Sequence, residues 1–250
     1  MLKRNIIILG ALSAIAEETA RLYAAKGANL VLAGRNEERL NQLAADLKIR
    51  GAAQCDVVAM DLSHEELVAS TFAEMTSALN GKADGVYLFY GLLGDQRQEE
   101  GDITAALRNI NVNFTSAAAW CLAAANQLER QASGVLIAVS SVAGDRGRQS
   151  NYIYGAGKAG LTVLVQGIAH RLAPKGARAV VAKLGFVDTP MTAHIAKKGL
   201  LWAKPAAVAA RLVAAAEKPS LPVVYVPGFW RVIMTIICIV PAKIFHKTKL

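Results

Sequence analysis

The sequence predicts one α/β domain, a doubly wound parallel sheet followed by an apolar, basic C-terminal tail. Three observations lead there. Short apolar runs bounded by Gly, Asn or Asp alternate with amphipathic stretches of helical length. The 250 residues suffice for the full core of a single α/β domain. No linker-like run of Pro, Ser or charge, and no internal repeat, interrupts the alternation.

The runs Asn5–Gly10, Asn29–Gly34, Asp56–Met60, Gly85–Tyr90, Gly134–Ser140, Ala177–Lys183 and Val223–Val226 read as strands covered on both faces. Between them, Glu17–Lys26, Asn36–Lys48, Glu65–Leu79, Phe114–Gln131, Tyr154–Leu172 and Pro205–Glu217 have the Ala-rich, amphipathic character of helices. A repeated strand–helix order requires a parallel sheet with helices on both sides. Ligands then bind beyond the carboxyl ends of the strands, so the residues just after each strand are the candidates. Residues 1–228 form the expected domain and 229–250 a distinct C-terminal segment.

The formal charge of +9 favours an anionic partner. No zinc-finger spacing, RNP-like motif or basic block with interleaved aromatics occurs, so nucleic acid is not expected. Cys55, Cys121 and Cys238 are widely spaced and odd in number, which predicts neither a disulfide framework nor a metal site and fits a reducing cytoplasm. Met1-Leu2-Lys3-Arg4 and Ile6–Leu9 imitate a signal peptide, but the apolar run stops at Gly10 and Glu17-Glu18 follow, so it reads as a buried first strand.

After the first strand, the turn at Gly10 feeds a helix whose free N–H groups can hold a pyrophosphate, although one glycine also suits an ordinary turn. Arg35 follows the second strand, where its planar fork would pair with a ribose 2′-phosphate; a solvated arginine is the alternative. Asp61, past the third strand, would accept from an adenine amino group or else cap a helix, as would Ser63. The strongest signal is Ser140-Ser141 followed by Tyr154-Gly155-Ala156-Gly157-Lys158. Tyr154 and Lys158 share one helix face, so the ammonium is expected to favour the phenolate, while Ser141 would orient a reacting carbonyl. Tyr152 has Ala156, not lysine, four residues on.

The spacing Ser141-x12-Tyr154-x3-Lys158 on this alternation resembles the catalytic set of the short-chain dehydrogenase/reductase family, from about Asn5 to Pro227. The resemblance implies a Rossmann-like fold, NADP(H) as cofactor, and reduction of a ketone or oxidation of a secondary alcohol with Tyr154 as acid/base. It implies that Asn113, rather than Asn111, holds a relay water, and that Gly10, Ser13, Ile15, Arg35, Asp61, Gly91, Tyr154, Lys158, Val187 and Thr189 bind the cofactor. Departures fall in the cofactor turns: Ala14 and Ala16 replace glycines, Phe89-Tyr90-Gly91-Leu92 replaces Asn-Asn-Ala-Gly, and Leu184-Gly185 replaces Pro-Gly.

Gly91-Leu92-Leu93-Gly94-Asp95, Ala143-Gly144-Asp145-Arg146-Gly147-Arg148, Met191-Thr192-Ala193-His194 and the ending from Phe229 resemble one branch of that family, the decaprenylphosphoryl-2-keto-ribose reductases. This closer resemblance implies a keto-pentose linked through phosphate to a polyprenyl lipid, with a partner oxidase. Arg146 and Arg148 are then expected at the substrate mouth. The alternatives are a generic reductase of a small or lipidic ketone and a non-catalytic NADP-binding sensor or scaffold. From Val232 to Val240 only Thr235 breaks the apolar run, and Lys243, His246, Lys247 and Lys249 follow without an acid. Too short to span a bilayer, the segment reads as peripheral on the cytoplasmic face of a membrane, or as a buried helix at the subunit interface of a homo-oligomer.

Overall fold

A computed structural model of the chain describes residues 4–195, 199–218 and 220–248. The expected domain and tail boundaries at residues 1 and 250, with Lys249, lie outside these.

Seven strands form one parallel sheet: β1 (Asn5–Leu9), β2 (Asn29–Gly34), β3 (Gln54–Ala59), β4 (Gly85–Leu88), β5 (Val135–Ser141), β6 (Arg178–Leu184) and β9 (Val223–Val226). Their order is β3-β2-β1-β4-β5-β6-β9, so the winding reverses between β1 and β4. A two-stranded ribbon, β7 (Phe186–Val187) with β8 (Trp202–Ala203), stands beyond β6. The seven main strands are those expected from sequence; β3 begins earlier, since Gln54 pairs with Asn29.

The helices are α1 (Ala14–Ala24), α2 (Glu37–Ile49), α3 (Val68–Ala78), α4 (Gln96–Gly101), α5 (Ile103–Ile110), α6 (Ser116–Arg130), α7 (Tyr152–Leu172), α8 (Pro205–Glu217), α9 (Trp230–Ile239) and α10 (Ala242–Phe245). Local chemistry starts several of them. The Ser13 hydroxyl accepts from Ala16 N–H (3.2 Å), the Asn36 side chain from Arg39 N–H (2.9 Å), and α8 opens on a proline. Two helices, α4 and α5, were not expected; their starts are marked by Asp95 and Asp102, whose carboxylates accept from Gln98 N–H and Ala105 N–H.

The period of two along β1 divides the core. Ile6 and Ile8 join one buried cluster with residues of α1, α2 and α8, whereas Ile7 and Leu9 join the other with residues of α3, α6 and α7. Helices therefore cover both faces of the sheet, and the loops at the strand termini are where a ligand can reach it. The tail is not detached from this body: Trp230 and Met234 of α9 bury against Val142, just past β5. No described helix is long and apolar enough to cross a membrane.

Candidate active site

Four candidate side chains converge beyond β4 and β5. Along β5 successive residues alternate in direction. Ser140 is buried, its hydroxyl donating to the Lys158 carbonyl (2.9 Å) and sharing a hydrogen bond with Thr162 (2.8 Å). Ser141 turns the other way, accepts from Ala143 N–H (3.1 Å), and stands beside the Tyr154 phenol, whose pKa it lowers. Tyr152 lies exposed at the start of α7, while Tyr154 is half-buried.

Lys158, 3% exposed, places its Nζ 5.8 Å from the Tyr154 ring centroid and donates to the Val139 carbonyl at 3.3 Å. Burial lowers its pKa to about 8, with Cys121 opposing. Burial also raises the Tyr154 pKa, against the lowering effect of Ser141. This corrects the expectation that Lys158 depresses the phenol pKa: desolvation dominates at both groups, so the free protein holds Tyr154 protonated.

Asn113, fully buried, sits in a π-helical turn, Asn111–Thr115, between α5 and α6. Its Nδ2 donates to the carbonyl of Leu92 (2.6 Å) and to Oδ1 of Asn109 (2.6 Å), and its Oδ1 accepts from Leu92 N–H (3.3 Å). Asn109 in turn donates to the buried Glu99 carboxylate (2.8 Å). A Cβ on Gly91 would stand 2.8 Å from Asn113 Oδ1 and 3.1 Å from Lys158 Nζ, so both polar atoms border the space this glycine leaves. A Cβ on Gly157 would lie 2.9 Å from Asn113 Cβ, so α7 reaches the π turn only by lacking a side chain there. The sequence reading missed Glu99 and Asn109. Asp95, a helix-start signal, would have located α4, but no spacing pattern links its Glu99 to Asn109.

The cofactor candidates ring the carboxyl ends of the strands. Gly10 has φ +79°, and a Cβ there would meet Tyr90 N at 2.7 Å, so the position admits only glycine. The N–H groups of Leu12, Ala14 and Ile15 have no hydrogen-bond acceptor among the described residues. They fit a pyrophosphate at the start of α1. The methyls replacing glycines obstruct little, because Ala16 and Ile15 point into the core and only Ala14 stays at the turn. Ser13 is engaged as the α1 cap. Arg35 is exposed at the end of β2. Asp61, at the end of β3, is held below the ordinary carboxylate range by the Ser63 N–H and hydroxyl, with Arg35 contributing. Val187 is buried in β7, and Thr189 is tied to Thr192 through its N–H and carbonyl.

The two loop arginines separate. Arg146 is not at an open mouth: its Nη1 donates to the carbonyls of Ile237 (2.5 Å) and Val240 (2.6 Å), and its guanidinium lies 3.8 Å from the Phe245 ring centroid. It closes the C-terminal end of α9, where unpaired carbonyls attract a cation, which corrects the expectation of a substrate contact. Arg148 Nε is buried without a hydrogen-bond partner among the described residues, and burial lowers that side chain's pKa.

The sequence pattern of the short chain dehydrogenases matches residues 4–199, the span that holds the sheet's first six strands and all of these loops except the tail contacts. The chain belongs to the short-chain dehydrogenase family. Its relatives include an uncharacterized oxidoreductase of Streptomyces coelicolor, 34% identical over 98% of this chain and 95% of its own length. Another from Mycobacterium tuberculosis is 33% identical over 97% and 96%. A solved short-chain dehydrogenase/reductase from Mycobacterium marinum superposes with a TM-score of 0.77 at 22% identity, over 86% of this chain and 89% of its own. A further family structure gives 0.77 at 23% identity, over 90% and 96%. This short-chain dehydrogenase is accordingly an oxidoreductase of a family that works with NAD(P)(H).

The burial of Lys158 has a measurable consequence. Its pKa in the folded chain, about 8, lies below its ordinary 10.5, so the folded state binds fewer protons between those values. The stability penalty is fully present below pH about 8 and fades as pH rises towards 10.5. Lys158→Met, which keeps the apolar stem, is expected to stabilise the fold at neutral pH by an amount of the order of 3 kcal/mol at most. The gain should vanish above pH 10.5. Urea denaturation across that range checks it; a destabilised variant at pH 7 would show that the ammonium is well solvated or paired.

Proposed function

We propose that this chain reduces a ketone with NADPH, and that its substrate is the 2-keto group of a pentose joined through phosphate to a polyprenyl lipid. The reading rests first on the placement of Ser141 beside Tyr154, close enough to lower the pKa of its phenol, with Lys158 one helical turn along α7. Bound reduced nicotinamide supplies a hydride to the carbonyl carbon. Tyr154 then gives its proton to the carbonyl oxygen, a task suited to a phenol that burial keeps protonated. Ser141 donates to the same oxygen and orients it. Lys158 holds the cofactor ribose and returns a proton to Tyr154, and Asn113, with its Oδ1 near the Gly91 space, holds the water that reloads Lys158.

Arg35 supports NADPH over NADH, since an exposed guanidinium at the end of β2 pairs with a 2′-phosphate. Arg148 supports a phosphorylated substrate. A buried guanidinium N–H without an acceptor is unfavourable, and a phosphate oxygen beside the Ser141–Tyr154 loop would remove that penalty.

Four results are expected. Tyr154→Phe should lower turnover by ~10²–10⁴-fold while NADPH affinity, read by fluorescence titration, stays within about twofold. Turnover near that of the parent would end the mechanism. Arg35→Ala should weaken NADPH binding by about 1.5–3 kcal/mol and leave NADH binding unchanged. Equal affinity of the parent protein for both nucleotides would show that Arg35 serves elsewhere. Arg148→Ala should raise KM about tenfold or more for a phosphorylated keto-sugar and little for a small neutral ketone. Loss of this protein from cells should lead to accumulation of polyprenyl-phosphate keto-pentose in lipid extracts by mass spectrometry; unchanged extracts would leave a generic carbonyl reductase.

A further inference from the structure

Helix α9 is apolar on two opposite sides, separated on one flank by Arg231 and Thr235, yet the domain covers only one of them. Trp230 and Met234 are buried, and Ile233 and Ile237 pack partly against the same cluster. The opposite stripe, Phe229, Val232, Ile236 and Ile239, is exposed, Ile239 by 74%, and Ile244 of α10 continues it. A second apolar stripe on a helix already docked by its first calls for a cover of its own, and scattered single exposures do not explain a stripe at helical spacing.

The charges around the stripe restrict what can cover it. From Pro227 to Leu250 the sequence has no Asp or Glu. Arg231, Lys243, His246 and Lys247 are exposed beside the apolar residues. A second copy docked by twofold symmetry on this face would set these cations against their own equivalents, with no acid from the segment to pair them. Anionic headgroups meet the same ring of cations favourably, and the acyl boundary accepts the stripe. The ten residues of α9 are too few to span a bilayer, so the helix would lie flat.

The same segment is fastened to the loop between Ser141 and Tyr154. Arg146 holds the end of α9 and stacks on Phe245, Cys238 Sγ contacts the Asp145 carbonyl (3.5 Å), and Gln149 donates to the Thr248 carbonyl (3.4 Å). Behind the loop, Asp145 is fixed by an ion pair with Lys183 and a hydrogen bond from Tyr225 (2.9 Å). We infer that the outer face of α9 and α10 docks on an anionic phospholipid surface, and that Arg146 transmits docking to the loop that borders Tyr154. The enzyme then meets its substrate while seated on the bilayer, with the loop ordered by the contact.

The full chain should sediment with vesicles of phosphatidylcholine plus phosphatidylglycerol and remain in the supernatant with phosphatidylcholine alone. Ile236→Asp combined with Ile239→Asp, and separately Lys243→Glu combined with Lys247→Glu, should each weaken vesicle binding about tenfold or more while the circular dichroism spectrum is kept. Hydrogen exchange of residues 142–151 should slow when vesicles are added to the parent and not when they are added to Arg146→Ala. These readouts need no turnover, so they stand apart from the substrate assignment. Failure of the parent to bind either vesicle, or binding that ignores charge reversal, overturns docking on anionic lipid. A dimer in light scattering that the Ile236→Asp, Ile239→Asp pair dissolves also overturns it, in favour of a second copy. Vesicle binding with unchanged exchange in the loop overturns the role of Arg146.

Discussion

The burial of one ammonium group organises this end of the molecule. Lys158 is 3% exposed and finds a single backbone acceptor among the described residues, so the chain must bring polar atoms to it closely enough to limit the cost of desolvation. The approach is made through missing side chains. Gly157 lets α7 lie against the Asn113 side chain, and Gly91 leaves Asn113 Oδ1 and Lys158 Nζ bordering one space. Helix glycines cost roughly 1 kcal/mol each relative to alanine, so α7 gives up intrinsic stability to place its lysine. The serine and tyrosine need less: one strand alternation at the end of β5 and the first turn of α7 suffice to bring Ser141 and Tyr154 together.

A second constraint is the polarity of the amides behind the site. Asn109 turns its nitrogen toward the Glu99 carboxylate, which accepts from it, and its oxygen toward Asn113. Asn113 then offers nitrogen to Asn109 and the Leu92 carbonyl, and keeps its oxygen on the Lys158 side. A buried carboxylate on α4 thus fixes the direction of a hydrogen-bond chain that ends beside the candidate catalytic lysine.

Much of this was legible in the sequence because it follows from periodicity. All seven strands of the sheet announce themselves as apolar runs, and the Ser141, Tyr154, Lys158 spacing needs only helix and strand geometry to converge. What escaped depends on contacts between distant or short elements. The α4–α5 region is short and polar at first sight, with Ile103 and Leu107 pointing to solvent, so its apolar residues do not mark a core face. Arg146 and Arg148 are two residues apart and chemically alike, and nothing local tells that one is captured by helix-end carbonyls of the tail. Ala14 and Ala16 replace glycines of the first turn, and the direction of Ala16, into the core, is decided by how α1 lies on the sheet.

The π-helical turn at Asn111–Thr115 sets the rotational phase between α5 and α6. Each residue advances an α-helix by about 100°, so one additional residue in a single turn rotates everything after it by that angle. Before the turn, Asn109 faces the polar chain; after it, Ala117, Trp120, Cys121 and Ala124 face the sheet. A continuous α-helix through this stretch would serve one orientation and forfeit the other. Insertions or deletions here are consequently far more disruptive than substitutions of similar size, because they change which way a whole helix looks.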